Sequence, residues 1–174
     1  MSLDQQYLKS RLEYCPDSGD FYWLPKKEKN GYDARWNRDF AGELAGSEVR
    51  GRRAINIDGT PRASSRLAWL YTHGEWPEEQ IDHKNRDSLD DRICNLRKAT
   101  PQQNNSNKAV RSDSSSGIKG IWFHKETGKW RASIRTHGKA RSLGLFFSPQ
   151  EAGAAYNAES RRLHGEFTYC GEQS

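Results

Sequence analysis

Thr100, Pro101 and Gln103 fix one point of this chain more firmly than any other residues do. A threonine hydroxyl at an N-cap, a proline at the first helical position and a glutamine two residues later form a helix start with three independent signals. Upstream, Ile81–His83 and Asn95–Lys98 read as short strands joined by a charged loop. The order is therefore strand, loop, strand, helix. That unit gathers an acid and an imidazole (Asp82, His83), a mid-segment amide (Asn95) and a second amide in the first helical turn (Asn104).

The rest of the chain must fold with little apolar material. Only 33% of its 174 residues are hydrophobic, which favours small cores over one large one. Six Trp, seven Tyr and six Phe compensate, because large rings fill a small core efficiently. The formal charge is +5, and the excess is uneven: residues 111–174 hold 10 basic and 6 acidic residues. A polyanion partner is compatible with this balance but not required by it. Cys15, Cys94 and Cys170 are far apart and odd in number, without CxxC or Cys-His spacing, so zinc is not expected and reduced thiols in a cytoplasm are. No long apolar run or secretory signal appears, and no membrane partner is expected.

The spacing predicts a helix from Asp4 carrying Tyr7, Leu8, Leu12 and Tyr14 on one face, a turn at 16–19, and a strand over Phe21–Leu24. Residues 25–42 are polar and read as a loop. A strand over Arg53–Ile57 runs into the hairpin turn Asp58-Gly59, and a helix over Ser65–His73 stops at Gly74. Residues 109–117 have a linker's composition. Beyond them, Lys119–His124, Lys129–Thr136 and Lys139–Phe146 read as three strands, with hairpin connections at Glu126–Gly128 and His137-Gly138. Ser148-Pro149-Gln150-Glu151 opens a last helix ending near Gly165, with Ala152, Ala155, Tyr156, Glu159 and Leu163 along one stripe. The fold class is α+β in two parts. The first spans 1–108, with a ββα core at about 80–108 flanked by a small sheet and helices. The second, 118–170, is a three-stranded antiparallel sheet with one helix.

Phosphodiester hydrolysis needs an activated water, a charge sink on the phosphate and help for the leaving 3′ oxygen. His83 suits the general base, and Asp82 and Asn104 suit oxygen ligands to one divalent ion, Mg²⁺ or Mn²⁺. Asn105 and Asn107 are rivals to Asn104 for that position. Asn95 is expected to fix the loop and the His83 ring. His73 reads as structural, Trp69 and Trp76 as core, and His124, His137 and His164 as turn or surface residues.

Arg66-Leu67-Ala68-Trp69, Gly74-Glu75-Trp76-Pro77, Asp82-His83, Asp90-Asp91-Arg92, Asn95-Leu96-Arg97 and Asn104 together closely resemble the HNH endonucleases of phages and introns, in the subgroup with asparagine for the metal-binding histidine. Gly19…Trp23 and Ala45-Gly46 extend the likeness to about residues 8–108. It implies a ββα-metal site and cleavage of double-stranded DNA, with Asp82 and Asn104 as metal ligands, His83 as base and Asn95 as the central asparagine. It also implies a homing-type enzyme in the cytoplasm of a phage-infected bacterial host. One site per chain suggests nicking by a monomer or a weak homodimer on DNA, with 5′-phosphate and 3′-hydroxyl ends. Two departures stand out. Ser65 occupies a position that is often histidine, and Asp91 stands where the family usually has asparagine, which is expected to add negative charge near the substrate. The rival reading is a DNA-binding regulator whose ββα unit is not catalytic.

Along Trp130–Arg135 the side chains alternate. Trp130, Ala132 and Ile134 point one way, while Arg131, Ser133 and Arg135 point the other, onto a face suited to a DNA groove. Gly120-Ile121, Gly128-Lys129-Trp130, Ile134-Arg135, Leu143-Gly144-Leu145-Phe146, Glu151-Ala152 and Ala155-Tyr156-Asn157 resemble the AP2 DNA-binding domain. That likeness implies DNA contacts by Lys119, Trp122, Arg131, Ser133 and Arg135. Ser142 and Ala140 replace a tryptophan and an arginine of the family, so base preference does not transfer.

Overall fold

The computed structural model describes residues 3–108, 110, 114, 116–136 and 138–169. They form a mixed α and β structure of several small sheets, with five α-helices among the described residues. The chain divides into two compact units, residues 1–98 and 99–174. Most of the expected 109–117 linker, together with His137 and Cys170, lies outside the described residues.

In the first unit, α1 (Gln5–Arg11) starts where Asp4 accepts from the Tyr7 N–H at 2.7 Å. The helix stops earlier than its apolar stripe suggests. Leu12–Tyr14 is instead a strand, β1, pairing antiparallel with β2 (Phe21–Trp23) so that Leu12 faces Trp23 and Tyr14 faces Phe21. Leu12 and Tyr14 satisfy a period of two as well as a helical one, and over so short a run the cross-strand pairing decides. A second departure is larger. Gly31–Phe40, expected as loop, is a helix, α2, whose Asn30 cap accepts from Tyr32 and Asp33 N–H groups at 3.0 and 3.1 Å. No residue of α2 is fully buried, and its aromatic residues Tyr32, Trp36 and Phe40 recur every four positions along it. Its Trp36 stacks edge-on against Trp23, with centroids 5.6 Å apart.

β3 (Ser47–Val49), β4 (Arg52–Ile57) and β5 (Thr60–Ala63) form an antiparallel sheet. Asp58 and Gly59, with φ of 49° and 80°, make the expected two-residue turn between Ile57 and Thr60. α3 (Ser64–His73) ends at Gly74 in the left-handed region, as expected. Leu8, Phe21, Ile55, Leu67 and Leu70 make the core of this unit. Trp69 and Trp76 pack against it as expected, with Trp76 donating to the Leu3 carbonyl at 2.8 Å. β6 (Gln80–His83) and β7 (Leu96–Ala99) pair in a two-stranded sheet, with a 3-10 turn over Ile93–Asn95 just before β7.

The second unit begins with α4 (Pro101–Asn107). Thr100 accepts from the Gln103 N–H, and the Gln103 side chain accepts from the Thr100 N–H at 2.8 Å, so the expected reciprocal cap is complete. β8 (Ile121–His124), β9 (Lys129–Thr136) and β10 (Lys139–Phe146) form an antiparallel sheet in the order β10-β9-β8. α5 (Pro149–His164) is capped by Ser148, which accepts from the Glu151 N–H. Glu151 reaches the Phe147 N–H rather than completing the box. Ala152 and Tyr156 of α5 pack on Ile121, Ala132 and Ile134, forming a core separate from that of the first unit. Gly120, at φ 71°, lies against the Tyr156 ring and the Ser133 carbonyl, a contact that leaves no room for a Cβ. The sheet and helix thus meet through small residues, as the stripe on α5 implies.

Candidate active site and nucleic-acid interface

Strand β6 carries Asp82 and His83 into the first unit, where they are 4% and 8% exposed. Alternation sends the two side chains to different partners. Asp82 accepts from Arg97 Nε of β7 at 2.9 Å, a buried ion pair in which the guanidinium compensates the carboxylate. His83 Nε2 lies 2.9 Å from Asp91 Oδ1, and Asp91 is 2% exposed. Asp91 was expected to add negative charge near the substrate; burial and this contact direct its charge to the imidazole instead.

Asp91 is held from several sides. The Tyr14 hydroxyl donates to its backbone carbonyl at 2.8 Å, and burial pushes that phenol up to about 12. Gly19, at φ 82°, presses its bare backbone against Asp91 and Arg92, where a Cβ would strike the Arg92 nitrogen. Asp90 then closes a two-pronged pair with Arg92 at 2.7 and 2.6 Å, which holds its carboxyl below the usual carboxylate range.

Asn95, 7% exposed, ties the loop between the strands. Its Oδ1 accepts from the Asn85 N–H at 3.0 Å. Its Nδ2 donates to Asn85 Oδ1 at 2.9 Å and to the Asp90 carbonyl at 2.8 Å. These bonds join Asn95 to both ends of the 85–90 stretch. A contact to the His83 ring is made by Asp91, expected from the sequence only to add negative charge near the substrate. The signal was the departure itself, an acid where an amide is usual.

Asn104 lies half-buried in the first turn of α4. Asn105 is exposed and its side chain accepts from Lys108 at 2.9 Å, while Asn107 is 6% exposed. Among the described residues no group of three or more His, Cys, Asp or Glu side chains is placed to hold a metal ion.

In the second unit the register sorts the expected contacts. Trp122 lies opposite Arg131, which lies opposite Leu145, and Ser133 lies opposite Ser142. Ala132 and Ile134 are buried under α5, so Trp122, Arg131, Ser133 and Arg135 share the other, open face. Trp122 is 41% exposed, with the Arg131 guanidinium 5.8 Å from its ring centre. Lys119 differs. Its ammonium donates to the carbonyls of Asn105, Ser106 and Lys108 at 2.7, 2.9 and 2.8 Å, which engages all three of its donors at the end of α4. Burial, with Lys108 nearby, lowers it to about 8. It is a strut of the unit rather than a member of the open face.

Residues 62–106 match the HNH endonuclease family, a span that includes Asp82, His83, Asn95 and Asn104. Two viral proteins are similar to just over half of the chain. Protein 3.8 of Escherichia phage T7 is 34% identical over 103 residues, covering 57% of this chain and 82% of that protein. An uncharacterised HNH endonuclease of Acanthamoeba polyphaga mimivirus is 32% identical over 99 residues, covering 56% of this chain and 50% of its own length. No solved structure matches the chain. No described helix is long and apolar enough to cross a membrane.

Proposed function

We propose that this chain, whose residues 62–106 match the HNH endonuclease family, is a homing-type enzyme that hydrolyses double-stranded DNA with a single divalent ion. The observation that carries the reading is His83, buried next to Asp82 in the chain and in contact with Asp91, within the family's matched span. His83 is the general base. It takes a proton from water as the water oxygen bonds to phosphorus; the electron pair of the P–O3′ bond passes to the 3′ oxygen, which takes up a proton and leaves as hydroxyl. Asp82 and Asn104 are the residues that would hold Mg²⁺ or Mn²⁺ through oxygen. The bound ion would offset charge on the phosphate and the leaving oxygen. Arg97 compensates Asp82 when no ion is bound. Asn95 keeps the 84–90 loop in one shape.

The open sheet face of the second unit is the DNA-recognition surface, contacting the duplex through Trp122, Arg131, Ser133 and Arg135. Lys119 supports it by holding the end of α4. The enzyme nicks one strand per active site, as a monomer or a weak homodimer on DNA, in the cytoplasm of the infected host.

The test is incubation of supercoiled plasmid, and of viral and host genomic DNA, with the protein and Mg²⁺ or Mn²⁺. Nicked products with 5′-phosphate and 3′-hydroxyl ends are expected, and a chelator abolishes them. Tight binding without cleavage of any of these DNAs, with either ion, would make the chain a non-catalytic DNA-binding regulator.

A further inference from the structure

We propose that Asp91 is the positioning residue of His83, fixing the imidazole as the tautomer with hydrogen on Nε2 and the lone pair on Nδ1. The inference deepens the reading of His83 as general base and rests on it. A carboxylate offers only acceptors, so the 2.9 Å contact between Asp91 Oδ1 and His83 Nε2 requires the hydrogen to sit on Nε2. In a neutral ring the acceptor is then Nδ1. Both partners are at least nine-tenths buried, so water does not compete for the bond.

The carboxylate is not placed by chance. Its backbone is anchored by the Tyr14 hydroxyl, packed against the bare backbone of Gly19, and followed by the Asp90–Arg92 pair. The ring sits at the end of β6, and the Lys84 N–H that follows it donates to the Asn95 carbonyl at 2.9 Å. Acceptor and ring therefore hang from separate braces, and neither is free to follow the other if the bond is lost.

The test uses the full chain. Nitrogen-15 correlation spectra of the His83 ring, recorded without metal or DNA while the ring is neutral, are expected to show hydrogen on Nε2. Asp91→Leu removes the acceptor at similar size, and Asp91→Asn removes the charge and admits either orientation of the amide. Both variants are expected to shift the ring toward a mixture of tautomers. On a cleaved DNA, kcat is expected to fall on the order of a hundredfold or more, while KM stays within about twofold. Asp91→Asn, nearly isosteric, keeps the comparison interpretable if the leucine variant does not fold. Hydrogen on Nδ1 in the unaltered chain, or an unchanged spectrum and kcat in Asp91→Asn, overturns the proposal. A His83→Ala chain that still cleaves would overturn the general-base reading instead, and the ring spectrum would still decide whether Asp91 sets the tautomer.

Discussion

Burial pushes the Tyr14 phenol up to about 12, and its hydroxyl bonds the very carbonyl that anchors Asp91. The sign of the resulting pH dependence follows from which state ionises first. Below pH 10 the phenol is protonated in both states and its contribution to stability is complete. Between 10 and about 12 the unfolded chain ionises while the folded one holds its proton, so stability falls as pH rises through that window. Denaturant midpoints measured below pH 10 and again inside the window should show this loss. Tyr14→Phe should flatten it, at a cost of about 1 kcal/mol at neutral pH from the lost hydrogen bond. At this scale the sequence singled out side chains but did not show what they touch. His83, Asp82 and Asn95 stood out from their order along the chain. The partner of His83 did not, because contact between residues 83 and 91 depends on how Gly19 and Tyr14 shape the intervening loop.

Elements with strong local signals formed where those signals lie. The three strands of the second unit, the Asp58-Gly59 turn and the Thr100 cap all rest on alternation or on side chains that bond their own backbone. α2 escaped notice because its signals, the Asn30 cap and the Tyr32, Trp36 and Phe40 stripe, sit in a polar run rich in lysine and glycine and bury no residue fully. The α1-to-β1 junction was misread because Leu12 takes part in both periods. On the open face of β8 and β9, Arg131 and Arg135 are proposed to meet phosphates or base edges. Each alanine substitution there should leave the fold intact, within about 0.5 kcal/mol, since neither side chain is part of the core. If the arginines meet phosphate, each substitution should weaken DNA binding and reduce the slope of log affinity against log salt by about 1. Titrations at several salt concentrations measure this, and an unchanged slope in both variants would remove this face from the DNA contact set.

Over the whole chain, two small cores replace one large one, as a composition of 33% hydrophobic residues implies. Contacts place α4 with the second unit, although the order of the sequence groups it with β6 and β7. Periodicity shows where a helix begins but not what it packs on, and α4 has only Ser106 and Asn107 buried. Lys119 joins α4 to the segment that leads into β8, a link invisible to any local pattern. The central claim is that the imidazole at position 83 removes the proton from the attacking water. It is tested most directly by comparing the unaltered chain with His83→Ala on one mapped DNA site in Mg²⁺, with binding and single-turnover cleavage measured side by side. The account predicts a loss of at least about a hundredfold in the cleavage rate while DNA affinity is retained. Cleavage at the original rate by the alanine variant would contradict it.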